Sequence, residues 1–250
     1  MNVIIYGAAG GIGTAVAEEF ARRGATVHLA GRTAGTLEAL AARIREAGGK
    51  AEPAVVDAYD EAAVEAHAES VGRIDVSLNL VPRGDMQGVP LVDMAAADFT
   101  RAVTNGLTTN FITARAAARR MTVQGAGLIL ALDSGSAHGS PMMGSTGPAD
   151  AALDTFVRNL AMEVGPSGVR VMGIWVAGLL ETLTLEKLQA VNAAIDANAL
   201  SGIHAGLDAA RMLRRSPTLA EIAGTIAFLA SPAAGGITGT WLNATGMFAS

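Results

Sequence analysis

The chain has 250 residues, a formal net charge of −5 and an apolar half. That length suits one α/β domain with a large core, and the acidic balance speaks against a nucleic-acid surface. The absence of cysteine excludes disulfides, a thiolate nucleophile and cysteine metal sites.

The first strand is expected over "VIIY" (3–6), followed by a helix from Thr14 to Arg23 that Gly24 ends. A second strand over 26–30 precedes a helix over 36–47, whose Leu37, Leu40, Ala41 and Ile44 share one face. "PAVVD" (53–57) reads as the third strand, before a helix that runs to about Ser70. Further strands are expected at 74–80, 127–132 and 169–176, with helical segments at 96–122 and 147–164 between them. A helix over 219–230 and a last strand over 239–243 complete the chain. Strands apolar throughout and separated by helices imply a parallel sheet covered on both faces. The expectation is one α/β domain over 1–250, a Rossmann-like doubly wound parallel sheet of about seven strands. Residues 178–215 are less regular and read as a substrate-side insertion with helical pieces around Glu186–Ile195. No apolar run reaches the roughly 18 uncharged residues of a span. "NVIIYG" after Met1 does not read as a leader. A cytoplasmic protein with no membrane partner is expected.

"YGAAGGIG" (6–13) joins the first strand to the first helix. Missing Cβ atoms would let backbone approach a pyrophosphate, and the helix start would offer free N–H groups and its positive dipole end. Gly7, Ala9, Gly10, Gly11, Ile12 and Gly13 form this candidate cradle. The second strand ends in "AGRT" (30–33), with no carboxylate to accept from the 2′-hydroxyl of NAD. Arg32, whose forked donors suit a phosphate, and Thr33 point to NADP(H) over NAD(H).

These residues resemble the short-chain dehydrogenase/reductase family over nearly the whole chain. The glycines keep that family's spacing, Gly7-x3-Gly11-x-Gly13. "VVD" (55–57) is similar to its third-strand aspartate, which implies adenine contacts from Asp57 and Ala58. "RIDVSLN" (73–79) looks like its fourth strand, and the family's Asn-Asn-Ala-Gly reads Asn79-Leu80-Val81-Pro82 here. "AMEVGPSGVRV" (161–171) and the segment 216–243 follow the family, and "AGLLET" (177–182) is like its proline-glycine loop. There Gly178 and Thr182 would face the nicotinamide.

The family's chemistry uses a serine, a tyrosine, a lysine and a supporting asparagine. The serine place falls on Ser134, and the asparagine place on Gly106 or, with a one-residue slip, Asn105. The Tyr-x3-Lys places fall on Thr146 and Asp150, with Gly147 as a second possibility for the tyrosine. The only tyrosines are Tyr6 and Tyr59 and the only lysines Lys50 and Lys187, so no Tyr-x3-Lys exists. Thr146 cannot replace a phenol, since an alkyl hydroxyl is a far weaker acid. His138 is the one histidine near this loop, a candidate acid or base beside a loop-histidine reading. Asp150, just after Pro148, reads first as a helix-opening residue, and its pairing with Asp133 second. Arg83 and Asp85 at the cleft mouth would bind a charged substrate or pair on the surface. Trp175 and Met172 read as core, and Met142 and Met143 as a substrate wall or subunit contact. No cluster has metal-ligand spacing, so no metal is expected.

Three readings stay open: an oxidoreductase on a carbonyl or alcohol with a non-standard proton donor, His138 or a water held by Ser134; a non-redox enzyme performing elimination, cyclisation or isomerisation; and an inactive dinucleotide-binding sensor or partner subunit. The expected partners are a small-molecule substrate and further copies of the chain, through 96–122 and 147–164.

Overall fold

The first strand shows the physical logic of the whole sheet. In the computed structural model, which describes residues 1–139, 141–191 and 196–247, β1 (Asn2–Tyr6) buries side chains on both faces. Val3 and Ile5 enter one core and Ile4 and Tyr6 the other, the period of two that a strand imposes. Helices α1 (Gly11–Arg22), α2 (Ala34–Glu46) and α8 (Leu219–Leu229) supply the first core through residues such as Phe20, Leu40 and Ile226. Helices α3 (Glu61–Val71), α4 (Ala96–Gln124) and α5 (Thr146–Val164) supply the second through Val64, Ile112 and Val157.

The other strands are β2 (Thr26–Gly31), β3 (Lys50–Val55), β4 (Val76–Asn79), β5 (Gly127–Asp133), β6 (Val169–Trp175) and β7 (Trp241–Asn243). They form one seven-stranded sheet in the order β3-β2-β1-β4-β5-β6-β7, every pair parallel. The winding reverses between β1 and β4, and a crevice opens there beyond the carboxyl ends of the strands.

Local signals set many boundaries. Asp60 caps α3 by accepting from the Ala63 N–H, and Thr218 with Glu221 forms a capping box on α8. Gly125, left-handed at φ 73°, ends α4. The third strand departs from expectation, since it spans Lys50–Val55 and not 53–57. It lies at the sheet edge, where charged Lys50 and Glu52 are tolerated and Pro53 need not donate to a further strand. Its apolar signal is therefore displaced. The last strand begins two residues late, at Trp241, after Gly239 turns at φ 65°. The segment 178–215 is more regular than expected, with α6 (Leu185–Val191) and α7 (Ala197–Ala210). Part of the helical stretch expected around Glu186–Ile195 lies outside the described residues.

Candidate functional site

A cleft of about 400 Å³ opens at the β1–β4 switch point. Gly7, Arg32, Asp57, Ala58 and Val81 line it together with Asn105. The first turn requires its glycines. Gly7 has φ 79°, and a Cβ there would lie 2.7 Å from the Leu80 carbonyl oxygen. A Cβ on Gly13 would meet the Gly7 and Ala8 carbonyl oxygens at 2.6 Å. Ala9 and Gly10 form the exposed turn, Gly10 is the N-cap, and Gly11, Ile12 and Gly13 make the first turn of α1. Gly10 brings no side-chain cap bond to the helix start. Gly7 lines the cleft and the Gly10 N–H bonds the Gly7 carbonyl at 3.1 Å; a helix start behind a glycine turn is the physical requirement for holding a pyrophosphate, so the turn fits a dinucleotide. Thr33 is the N-cap of α2, beside Arg32. Asn79 ends β4 buried, its Oδ1 accepting from the Val81 N–H at 2.9 Å while Nδ2 has no partner among the described residues.

The second half of the site is an ion-pair network that the sequence did not disclose. Asp150, 0% exposed, accepts from Ser134 Oγ at 2.7 Å, the Ser136 N–H at 2.8 Å and Arg83 Nη2 at 2.6 Å. Arg83 Nε also donates to both oxygens of Asp85 at 3.0 Å. Thr146, 1% exposed, donates its hydroxyl to Asp85 at 2.8 Å and receives the Gln87 amide at 3.2 Å. Arg83 and Asp85 are therefore neither a surface pair nor a pair by themselves, because the guanidinium turns inward to a buried carboxylate. Asp150 is likewise more than a helix-opening residue. Burial opposes the charge on Arg83, but Asp150 and Asp85 outweigh it and raise the guanidinium above its ordinary value.

Gly106 is part of this arrangement. A Cβ there would stand 2.9 Å from Arg83 Cδ, so the arginine stem crosses α4 through space that a larger side chain would fill. Asn105 donates its Nδ2 to the Arg83 carbonyl at 3.1 Å and holds the same loop from the cleft side.

The remaining candidates lie elsewhere. The exposed His138 packs edge-on against Trp175, ring centroids 5.8 Å apart, and forms no hydrogen bond with a described residue. Trp175 is half-buried and stacks on Trp241, whereas Met172 is core. Met142 is exposed in a left-handed conformation (φ 65°), and its carbonyl accepts from the Gly88 N–H. Tyr6 ends β1 and pairs with β4, one strand short of β5, so roughly 10 Å of sheet separates it from Ser134. Burial also pushes its phenol further up, and Tyr59 lines the same end of the cleft. Neither phenol replaces the missing one at Ser134.

Asp133 ends β5 with one oxygen on the Gly135 N–H at 2.8 Å and the other buried without a partner among the described residues. Burial, then the charge of Asp150, pushes it up to about 8, so its surroundings favour the neutral carboxyl. Sequence patterning had marked Asp133 only as a partner for Asp150. Among the described residues no group of three or more His, Asp or Glu could hold a metal.

The loop after β6 is held by a residue no motif marks. Arg211, 0% exposed, donates to the carbonyls of Ala177, Gly178, Leu207 and Thr245 and to the Ser216 hydroxyl. It fixes Gly178 (φ 55°), four residues before Thr182. The Thr182 methyl in turn lies 3.0 Å from where a Gly11 Cβ would be, against the glycine turn.

A doubly wound parallel sheet, a glycine-lined switch-point cleft and a serine loop after the fifth strand define a dinucleotide-binding type of fold. The comparisons name the family. A family model described as "Enoyl-(Acyl carrier protein) reductase" matches residues 7–246. The short-chain reductase protein NovJ of Streptomyces niveus is 33% identical over 248 residues, 97% of this chain and 92% of that protein. The 7alpha-hydroxysteroid dehydrogenase of Escherichia coli K12 is 30% identical over the same shares. Among solved structures, NAD+-bound xylitol dehydrogenase superposes with a TM-score of 0.86 at 27% identity, covering 98% of this chain and 97% of that one. The chain belongs to the short-chain dehydrogenase/reductase family of oxidoreductases.

Proposed function

We propose that the protein is an NADP(H)-dependent oxidoreductase acting on a carbonyl or alcohol, with no phenol as proton donor. The observation that carries this reading is the cleft itself, glycine-lined at Gly7 and flanked by Arg32 where an NAD-selective site would present a carboxylate. Gly7, Gly10, Gly11 and Gly13 would hold the pyrophosphate, Arg32 and Thr33 the 2′-phosphate, and Asp57 and Ala58 the adenine. Asn79, Val81, Gly178 and Thr182 would border the nicotinamide end. When bound, the nicotinamide supplies or accepts the hydride. Ser134 gives its hydrogen to Asp150 and receives one from Ser136 at 2.8 Å. Its oxygen would therefore accept from a substrate hydroxyl or a water, and that water would deliver to a carbonyl oxygen the proton that accompanies the hydride, or take the proton an alcohol releases, in exchange with bulk solvent.

The test follows reduced-nicotinamide absorbance with NADPH and NADH against a carbonyl and alcohol panel, in wild type and Arg32→Ala. Turnover favouring NADPH, and lost for NADPH but not NADH in Arg32→Ala, supports the reading. Equal use of both cofactors sinks the NADP(H) preference.

A second reading, dinucleotide binding without turnover, is favoured by one observation. The places of the family's tyrosine and lysine hold a buried network of hydrogen bonds and an ion pair, and the Ser134 hydrogen is spent within it. Tight NADPH binding with no turnover on any substrate would select it. A homo-oligomer through α4 and α5 is part of the proposal, supported by exposed Leu107, Phe111 and Met162 on those helices. Sedimentation as a monomer would refute it. No helix among the described residues is long and apolar enough to cross a membrane, and a cytoplasmic site of action is proposed.

A further inference from the structure

We infer that Arg83 is the cofactor-holding cation of this site, delivered from the loop after β4 to the place where the family's lysine would stand. The inference rests on the dinucleotide reading above and deepens it. Three departures from the family pattern interlock in space. Asp150 stands where the lysine is expected, and its carboxylate receives Arg83 at 2.6 Å. Gly106 stands at one of the two places expected for the asparagine, and only its missing Cβ leaves room for the Arg83 stem. Arg83 itself follows the Val81-Pro82 segment that borders the cleft. Reversal of the charge at 150 and loss of the side chain at 106 together build a route and an anchor for one guanidinium.

The anchoring leaves a free edge. Nε is engaged by Asp85 and Nη2 by Asp150, while Nη1 makes no hydrogen bond to a described residue. The side chain keeps 13% of its surface exposed. Pro82 and Gly84, on either side of Arg83, line the cleft, whose lining does not include Arg83 itself, so its free edge would meet a ligand that extends past that cleft. A guanidinium fixed on two edges by carboxylates is preorganised to donate from the third, with its rotamer entropy already spent on folding. The acceptors it suits are the hydroxyls of the nicotinamide ribose, the half of a dinucleotide that lies away from Arg32. Arg83 thereby supplies the donor that lysine would have given, with no ammonium at 150.

The test separates the two halves of the cofactor. Calorimetric affinities are measured for NADPH, which carries the nicotinamide ribose, and for 2′,5′-ADP, which does not. NADH and AMP are run in parallel as the pair without the 2′-phosphate. Arg83→Met is expected to weaken the full dinucleotide about ten- to hundredfold, the loss of one bond to a charged donor, and to leave the half-molecule within about twofold. Gly106→Ala pushes the Arg83 stem aside without touching its charge, and should give the same asymmetry in smaller degree if Arg83→Met does not fold. Equal weakening of whole and half, or no weakening in either variant, overturns the inference while leaving the cofactor reading standing. Wild type that binds none of the four compounds overturns both.

Discussion

Asp150→Ala is expected to be among the most destabilising single substitutions in the chain, and a second substitution should rescue it. Asp150 is fully buried and accepts from Arg83, Ser134 and the Ser136 N–H. Its removal leaves a largely buried guanidinium with Asp85 as sole counter-ion, a loss of about 3 to 5 kcal/mol. For a domain of this size that lowers the melting temperature by roughly 6–20 °C. Arg83→Met added to Asp150→Ala removes the guanidinium that Asp85 alone would have to balance. What then remains is the orphaned Ser136 N–H, worth about 1–3 kcal/mol, since Ser134 can turn its hydroxyl to Ser136 or solvent. Asp85 keeps the Thr146 hydroxyl and some exposure, so its loss of Arg83 costs less. The double variant should therefore be more stable than Asp150→Ala alone. Urea denaturation at pH 7 of wild type, both single variants and the double variant closes the cycle. A double variant less stable than Asp150→Ala, or an Asp150→Ala loss below about 1 kcal/mol, would refute the ion pair as the organiser of this loop.

Other expectations concern pH and packing. His67, 9% exposed between Tyr6 and His28, is driven down to about 4 by burial and then by His28. A folded value below the unfolded 6.5 means that stability falls as pH drops from about 6.5 to 4 and is flat below, by about 3 kcal/mol in all; His67→Phe should flatten that limb of the denaturation profile. Asp133 has the opposite sign. Its folded value of about 8 lies above the unfolded 3.8, so its stabilising contribution is complete below pH 3.8 and is lost as pH rises to 8. Asp133→Asn, melted at pH 9 beside wild type, should be the more stable of the two. Arg211→Ala leaves four carbonyls without their guanidinium donor and should cost at least about 4 kcal/mol, with faster proteolysis between 178 and 215 as the local readout. Unchanged cleavage there would show that Arg211 does not hold the segment.

The sequence alone determined the doubly wound sheet and the place of the glycine-lined cleft. Parallel strands buried on both faces must be apolar throughout, and "VIIY", "LILAL" and "VRVMGI" carry that signature without help from distant residues. The glycine turn was legible for a similar reason, because a Cβ at Gly7 or Gly13 collides with backbone only a few bonds away or on the adjoining strand. The edge strand was shifted, since at an edge one side of the ladder faces solvent and Lys50 and Glu52 break the apolar signal. The loss of Tyr-x3-Lys could be read from composition, but what fills its place could not. Arg83 and Asp150 are 67 positions apart, and no periodicity links them. Only the packed sheet brings the loop after β4 beside the start of α5, and only the empty side of Gly106 lets the arginine cross. Local chemistry specified the glycine turn and its cleft; long-range packing decided that Arg83 and Asp150 meet beyond it.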